Sequence, residues 1–248
     1  MGWPADVAAS AHLFVDPAAG LADTVDVGGE NGHHLARVLR LRVGEIVTAA
    51  DGSGGWRPYR VAAVGADLMV RLDATAGPER EPVLIPALAV AFALTKGDKP
   101  ELVVQKLTEL GVDRIVPVVA ERSVARLDPA RAGTALERWR RIALEAARQC
   151  RRARLPVVEE LRPLPELAGH PAVVVAERGG EAAAALGPPP GGELLVVVGP
   201  EGGLTGAEVE KLAPWARLGL GPYVLRAETA ALASAAVLAA GRRPGAGC

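Results

Sequence analysis

The sequence predicts an α/β protein in which a domain with a mostly parallel sheet follows a smaller, β-barrel-like domain. Three observations predict it. From residue 87 onward, apolar runs of strand length alternate with helix-patterned segments, the order expected of a parallel sheet covered by helices. Two of those runs, 172–176 and 194–198, are almost continuously apolar, as strands buried on both faces require. Before residue 77 the apolar runs are short and separated by turn signals, the pattern of a small all-β unit.

Each element follows in order. Residues 12–15, 45–50, 56–63 and 68–72 read as strands, and Asp51-Gly-Ser-Gly between two of them reads as a hairpin turn. One helical stretch, 33–41, carries Leu35, Val38 and Leu39 at helical spacing, with Asn31 as a candidate N-cap. The first domain is therefore placed at 1–76. Residues 77–86 (GPEREPVLIP) read as a linker. The second domain, 87–248, begins with a strand at 87–94. A helix at 100–110 follows, with proline in its first turn and Gly111 as its stop. Residues 114–119 are a strand, and 130–154 a long basic helix ended by Pro156. After the two apolar strands, Thr205 and Glu208 form a capping box for a helix reaching Leu212. An alanine-rich helix occupies 229–240.

Composition narrows the function classes. Apolar residues make up 50% and charged residues 23% of 248 positions, the balance of a folded globule rather than a disordered chain. No apolar run is long enough for a spanning helix, and the first residues lack the basic and apolar regions of a secretory signal. The two cysteines, Cys150 and Cys248, form neither a disulfide framework nor a metal-ligand pattern. His33-His34 lacks further ligands at metal spacing, so these read as turn histidines. The expectation is a cytoplasmic protein without membrane or metal. Net charge is −1, yet its distribution is uneven: residues 131–155 hold eight arginines against Glu137 and Glu145. Such a block suits a nucleic-acid surface, or a solvated helix face in an arginine-rich chain.

Four segments could carry chemistry. Gly199-Pro-Glu-Gly-Gly lies between a strand and a capped helix, where α/β sheets bind ligands. It has neither the Gly-Lys-Ser/Thr of a phosphate loop nor the dinucleotide-binding glycine pattern. A tight connection with a buried Glu201 is the competing explanation. Residues 218–230 run from a glycine-rich loop into Arg226, Glu228 and Thr229 at a helix start, where an arginine and a carboxylate can polarise a substrate. A structural ion pair fits the same residues. Lys96 and Lys99 sit at a strand end and could meet phosphate, or lie on a solvated turn. Finally, Arg122 follows the next strand, while Arg141, Glu145, Arg148 and Arg152 share one helical face. Trp139 beside them reads as packed.

Taken together and in order, these motifs resemble the RsmE family of bacterial small-subunit ribosomal RNA methyltransferases, of the SPOUT superfamily. HHLARVLR from His33 and DGSG from Asp51 are similar to the family's first domain. KGDKPELVVQKLTELGV from Lys96, RIVPVVAERSV from Arg114, RWRRIALEAARQC from Arg138, VVGPEGGLTGAEVE from Val197 and LGLGPYVLRAETA from Leu218 follow in the second. The chain departs from the family pattern at Cys150, at 151–154, where a glycine turn is usual, and at Ala227, where threonine is usual. The resemblance implies a PUA-like β-barrel domain followed by a SPOUT (trefoil-knot) methyltransferase domain, a fold that spacing alone would not suggest. It implies S-adenosylmethionine as cofactor, held by Ala176, Gly199, Pro200, Glu201, Gly202, Leu218, Gly219 and Leu225. It further implies a homodimer through the knot domain, and methylation of N3 of a 16S rRNA uridine at the decoding centre of the small ribosomal subunit.

Arg226 is the candidate for the uracil oxygens and Glu228 for the N3 proton. Arg37, Arg40, Lys96, Arg122, Arg141, Arg148 and Arg152 are the candidate RNA contacts. Two rivals remain at this stage: a nucleotide-using α/β enzyme, and a non-enzymatic rRNA-binding protein. A methyltransferase with a different RNA target is a third possibility.

Overall fold

The computed structural model describes residues 2–16, 20–95, 99–124 and 129–245. It falls into two compact units, Met1–Val83 with Ala147–Leu155, and Leu84–Ala146 with Pro156–Cys248.

In the first unit, strands β1 (Ala11–Phe14), β2 (Thr24–Val27), β3 (Ile46–Ala50), β4 (Gly55–Val64) and β5 (Val70–Ala74) form a sheet in the order β1-β3-β4-β5-β2. A short β6 (Glu79–Arg80) adds to β4. Alternate residues Val47, Tyr59, Val61, Val70 and Leu72 face a common core with Leu35. The β3–β4 hairpin is tied by Asp51, whose Oδ1 accepts from the amides of Ser53 (2.7 Å) and Gly55 (2.9 Å). The helix expected at 33–41 is instead α1 (Gly29–His33), continued by one wide π-type turn over His34–Val38. Its N-cap is Gly28, and Asn31 lies inside α1. The early start depends on Gly32, where a Cβ would meet the Leu68 carbonyl oxygen at 2.3 Å.

The stretch expected to be a linker is ordered. Its first part is β6, and its second is β7 (Leu84–Ile85), which pairs within the second unit with β15 (Arg243–Pro244). Between them run β8 (Ala87–Ala93), α2 (Lys99–Glu109), β9 (Arg114–Val119), α3 (Pro129–Cys150), β10 (Val157–Val158), β11 (Arg162–Pro163), β12 (Val173–Glu181), β13 (Glu193–Val198), α4 (Gly206–Leu212), β14 (Ala216–Leu218) and α5 (Ala227–Ala239). The sheet order is β10-β9-β8-β13-β12-β14, with β11 also on β9, and every neighbouring pair is parallel. Along β8, Leu88, Val90 and Phe92 pack with Val103, Val104 and Leu107 of α2 and Ala231, Ala235 and Leu238 of α5. The intervening Ala89, Ala91 and Ala93 pack with Leu164, Leu167 and Leu212. Burial on both faces is why these strands carry no polar alternation. Trp139 is packed in the core.

The buried Arg242 guanidinium locks the edge of this unit. It donates to the carbonyls of Leu84, Pro86 and Gly111 and pairs with Asp113. Among the described residues no helix is long and apolar enough to cross a membrane, and no cluster of three or more His, Cys, Asp or Glu could hold a metal ion.

Candidate active site

Three segments at the carboxyl ends of neighbouring strands enclose a cavity of about 480 Å³. They are the middle of β12 from Val175 to Arg178, where its register shifts, the loop after β13 from Val198 to Leu204, and the stretch from Leu220 to Leu225 that leads into α5. Val175, Ala176, Leu204, Leu220 and Leu225 supply apolar walls, the charged lining residues are Glu177 (paired with Arg217 at 2.6 Å), Arg178 and Glu201, and the glycines leave backbone groups bare.

The loop after β13 is held from several sides. Gly203, at φ +71°, donates its amide to the Pro200 carbonyl at 2.8 Å. The expected capping box is present: Thr205 Oγ1 accepts from the Glu208 amide at 3.3 Å, and Glu208 Oε2 accepts from the Thr205 amide at 2.8 Å. The same Glu208 accepts through Oε1 from the Glu121 amide at 2.7 Å, which ties α4 to the exit of β9. Arg122 Nη1 donates to the Gly202 carbonyl at 2.9 Å. Arg122, expected at an RNA phosphate, therefore also braces the cavity loop. Glu201 is exposed rather than buried, so a tight connection around a buried carboxylate does not describe this loop.

Of the expected cofactor residues, Ala176, Gly199, Pro200, Glu201, Gly202 and Leu225 line the cavity. Leu218 and Gly219 do not. Leu218 is fully buried in β14, and Gly219 stands against Gly180, with its amide donating to the Glu181 carbonyl at 2.8 Å. A Cβ on Gly219 would lie 2.3 Å from the Gly180 carbonyl oxygen. These two residues shape the wall from behind because β12 bulges after Ala176 and returns to pair Glu181 with Leu218. The sequence reading missed β14, Glu177, Arg178, Gly180, Tyr223 and Val224. Glycines at 179–180, 199–203 and 219–221 were the trace along the chain, and the pairing of β12 with β14 that brings them together could not be read there.

Arg226 and Glu228 flank Ala227, which lines the cavity. Arg226 occupies the N-cap position of α5 and is exposed. Glu228 lies in the first turn, half-buried. Its Oε1 is 3.1 Å from Lys99 Nζ, and the same ammonium is 4.0 Å from Glu201 Oε1. Burial pushes the Glu228 carboxyl up, but its own backbone amide and Lys99 outweigh this and hold it below its ordinary value. Lys99, expected at a phosphate or on a solvated turn, is thus engaged with two carboxylates.

The basic candidates separate into groups. Arg37, Arg40 and Arg141 are exposed. Lys96 lies outside the described residues. Arg148 and Arg152, expected to face RNA, are half-buried within the first unit. Arg148 Nη2 donates to Asn31 Oδ1 at 2.7 Å. The Arg152 carbonyl accepts from His12 Nε2 at 3.0 Å, and since a carbonyl can only accept, Nε2 carries the proton and Nδ1 accepts from Thr48 Oγ1 at 2.8 Å. Burial, the largest cause, lowers the His12 pKa to about 4. Neighbouring Arg151 donates to the Val7 and Ala9 carbonyls, and Arg154 to that of Ser53.

Known proteins place this arrangement. Residues 83–239 match the family model of an RNA methyltransferase domain, and residues 27–69 that of an RNA methyltransferase PUA domain. The chain is 34% identical to the ribosomal RNA small subunit methyltransferase E of Bacillus subtilis, over 85% of this chain and 88% of that one. It is 35% identical to the protein of the same name from Mycobacterium bovis, over 88% and 87%. The crystal structure of a ribosomal RNA small subunit methyltransferase E from Neisseria gonorrhoeae, bound to S-adenosyl methionine, superposes with a TM-score of 0.79 at 27% identity, over 91% of this chain and 95% of that one. A matched catalytic domain, a matched PUA domain and relatives similar along most of their length make this chain a member of the RsmE family of ribosomal RNA methyltransferases.

Proposed function

We propose that this protein uses S-adenosylmethionine to methylate N3 of a uridine of 16S rRNA at the decoding centre of the small ribosomal subunit. The cavity carries this reading. Its volume, about 480 Å³, lies in the range of sites for small organic ligands. Its apolar walls suit an adenine ring, its bare glycine backbone suits hydrogen bonding to ribose and amino-acid groups, and its carboxylates suit a sulfonium and an ammonium. Ala176, Gly199, Pro200, Glu201, Gly202 and Leu225 would hold the cofactor, which brings a methyl group on a positively charged sulfur.

The chain's own residues have the remaining tasks. N3 of uracil carries a proton that must leave, and negative charge then spreads to the ring oxygens. Arg226, exposed beside the cavity, donates to those oxygens. Glu228, held ionised, accepts the proton. Arg37, Arg40, Arg122 and Arg141 meet RNA phosphates, with Lys96 on the same task. The target base is splayed from its stack to reach the cavity. The second unit pairs with a second copy of itself, and the protein works in the cytoplasm on the small ribosomal subunit.

The test is incubation with methyl-labelled S-adenosylmethionine and small subunits lacking the modification, followed by nucleoside mapping. Label as N3-methyluridine at one 16S position is expected. Label on another nucleoside or another RNA moves the target, and no transfer with any rRNA leaves a protein that only binds RNA.

A further inference from the structure

We infer that Lys99 is a positioning residue for the proton-accepting step: its ammonium fixes one oxygen of the Glu228 carboxylate and leaves the other for the substrate. The inference rests on the reading of Glu228 above and deepens it.

The geometry is specific. Lys99 opens α2, Glu228 sits in the first turn of α5, and Glu201 belongs to the cavity loop after β13. One ammonium therefore reaches carboxylates on two separate elements, at 3.1 Å and 4.0 Å. An ammonium has three donors and no fixed fork, which suits this sharing. Glu228 Oε1 is taken by Lys99, while Oε2 is buried without a hydrogen-bond partner among the described residues. A buried carboxylate oxygen left unpaired is costly, and native structures rarely keep one without a purpose. Glu228 does not itself line the cavity, so an incoming N–H donor supplies the missing partner when the carboxylate turns toward it about the oxygen that Lys99 holds.

The proton balance is simple. The N3–H bond breaks, its proton passes to Glu228 Oε2, and the electron pair stays on N3. That transfer needs Glu228 ionised beforehand. The charged groups facing it are Lys99 from α2 and Arg226 at the start of its own helix, while Glu201 competes for Lys99. Arg226 is committed to the substrate in this scheme, so Lys99 is the standing cation.

The experiment compares wild type with Lys99→Gln, Lys99→Met, Lys99→Arg and Glu228→Gln. Three quantities are read: the pH profile of methyl transfer, the infrared titration of the Glu228 carboxylate in cofactor-free protein (assigned by difference against Glu228→Gln), and the affinity for S-adenosylmethionine. Losing Lys99 should move the Glu228 midpoint and the acid limb of the profile up, with a severalfold loss of turnover at a fixed acidic pH. Lys99→Arg keeps the charge, so its midpoint should stay near wild type, and cofactor affinity should change less than about twofold in all four. Either neutral variant decides the matter. An unmoved midpoint in Lys99→Gln or Lys99→Met overturns the role of Lys99 while leaving Glu228 in place. Full activity in Glu228→Gln removes the proton acceptor itself, and with it the reading beneath.

Discussion

The loops around the cavity, rich in glycine, and the segment Ala147–Leu155, which has none, use arginine in different ways. Around the cavity, glycine lets backbone approach backbone, as Gly180 and Gly219 do, while Arg178 and Arg226 extend to solvent and Arg122 turns in to the Gly202 carbonyl. In Ala147–Leu155 the arginines turn inward. Arg148 serves Asn31, Arg151 serves the carbonyls of Val7 and Ala9, and Arg154 serves that of Ser53. The difference shows what decides an arginine's role. A guanidinium carries five donors, and where orphan carbonyls lie within reach it satisfies them before it meets a phosphate. A run of positive charge is thus ambiguous along the chain, and so is a glycine loop between a strand and a helix until the fold shows the cavity beside it.

Five substitutions sharpen or break this contrast. The largest effect belongs to Gly219→Ala. With 2.3 Å between the new Cβ and the Gly180 oxygen, the β12–β14 junction must shift, at a cost of about 1–3 kcal/mol in overpacking. The cavity wall moves with it, so calorimetry should find S-adenosylmethionine binding weakened by about a hundredfold, near the upper end of that cost. Unchanged binding would show that Leu218 and Gly219 shape nothing.

Arg226→Ala comes next. A lost donor to developing charge costs about a hundredfold or more in turnover, with cofactor affinity retained. Full activity in rapid-quench transfer assays would remove Arg226 from the site.

The inward-facing region predicts a pH effect of about 3 kcal/mol. His12 has its pKa lowered to about 4, against about 6.5 when unfolded. Folding then excludes a proton that the unfolded chain binds. Stability should be full above about pH 6.5 and decline as pH falls toward 4. Urea unfolding should show this slope in wild type and a shallower one in His12→Gln, and equal slopes would contradict the burial of a neutral imidazole.

The smallest effects separate the two kinds of arginine directly. Arg151→Ala should lower stability by about 1–2 kcal/mol by stranding the Val7 and Ala9 carbonyls, with little change in RNA affinity. Arg141→Ala should do the reverse, leaving stability unchanged and reducing the salt slope of RNA binding by about one. A shared pattern in both variants would erase the distinction.

Much of the parallel sheet was legible along the chain because burial on both faces writes continuous apolar runs, as at β8 and β13. The capping box at Thr205 and Glu208 was legible because it is a local exchange of hydrogen bonds. Strand β14 was not, since three residues have no periodicity, and its partner β12 lies some forty residues away. The early start of α1 was hidden because it depends on Leu68 approaching Gly32. Lys99 could be picked out as a cation, but its partners Glu201 and Glu228 are remote in sequence and adjacent only in the fold.

The most direct measurement is calorimetric titration of the purified chain with S-adenosylmethionine and, separately, with ATP. The cavity built by the β12, β13 and β14 loops predicts one S-adenosylmethionine bound per chain and no heat from ATP. Binding of ATP with none of S-adenosylmethionine would contradict the assignment of the cavity and return a nucleotide-using enzyme to consideration.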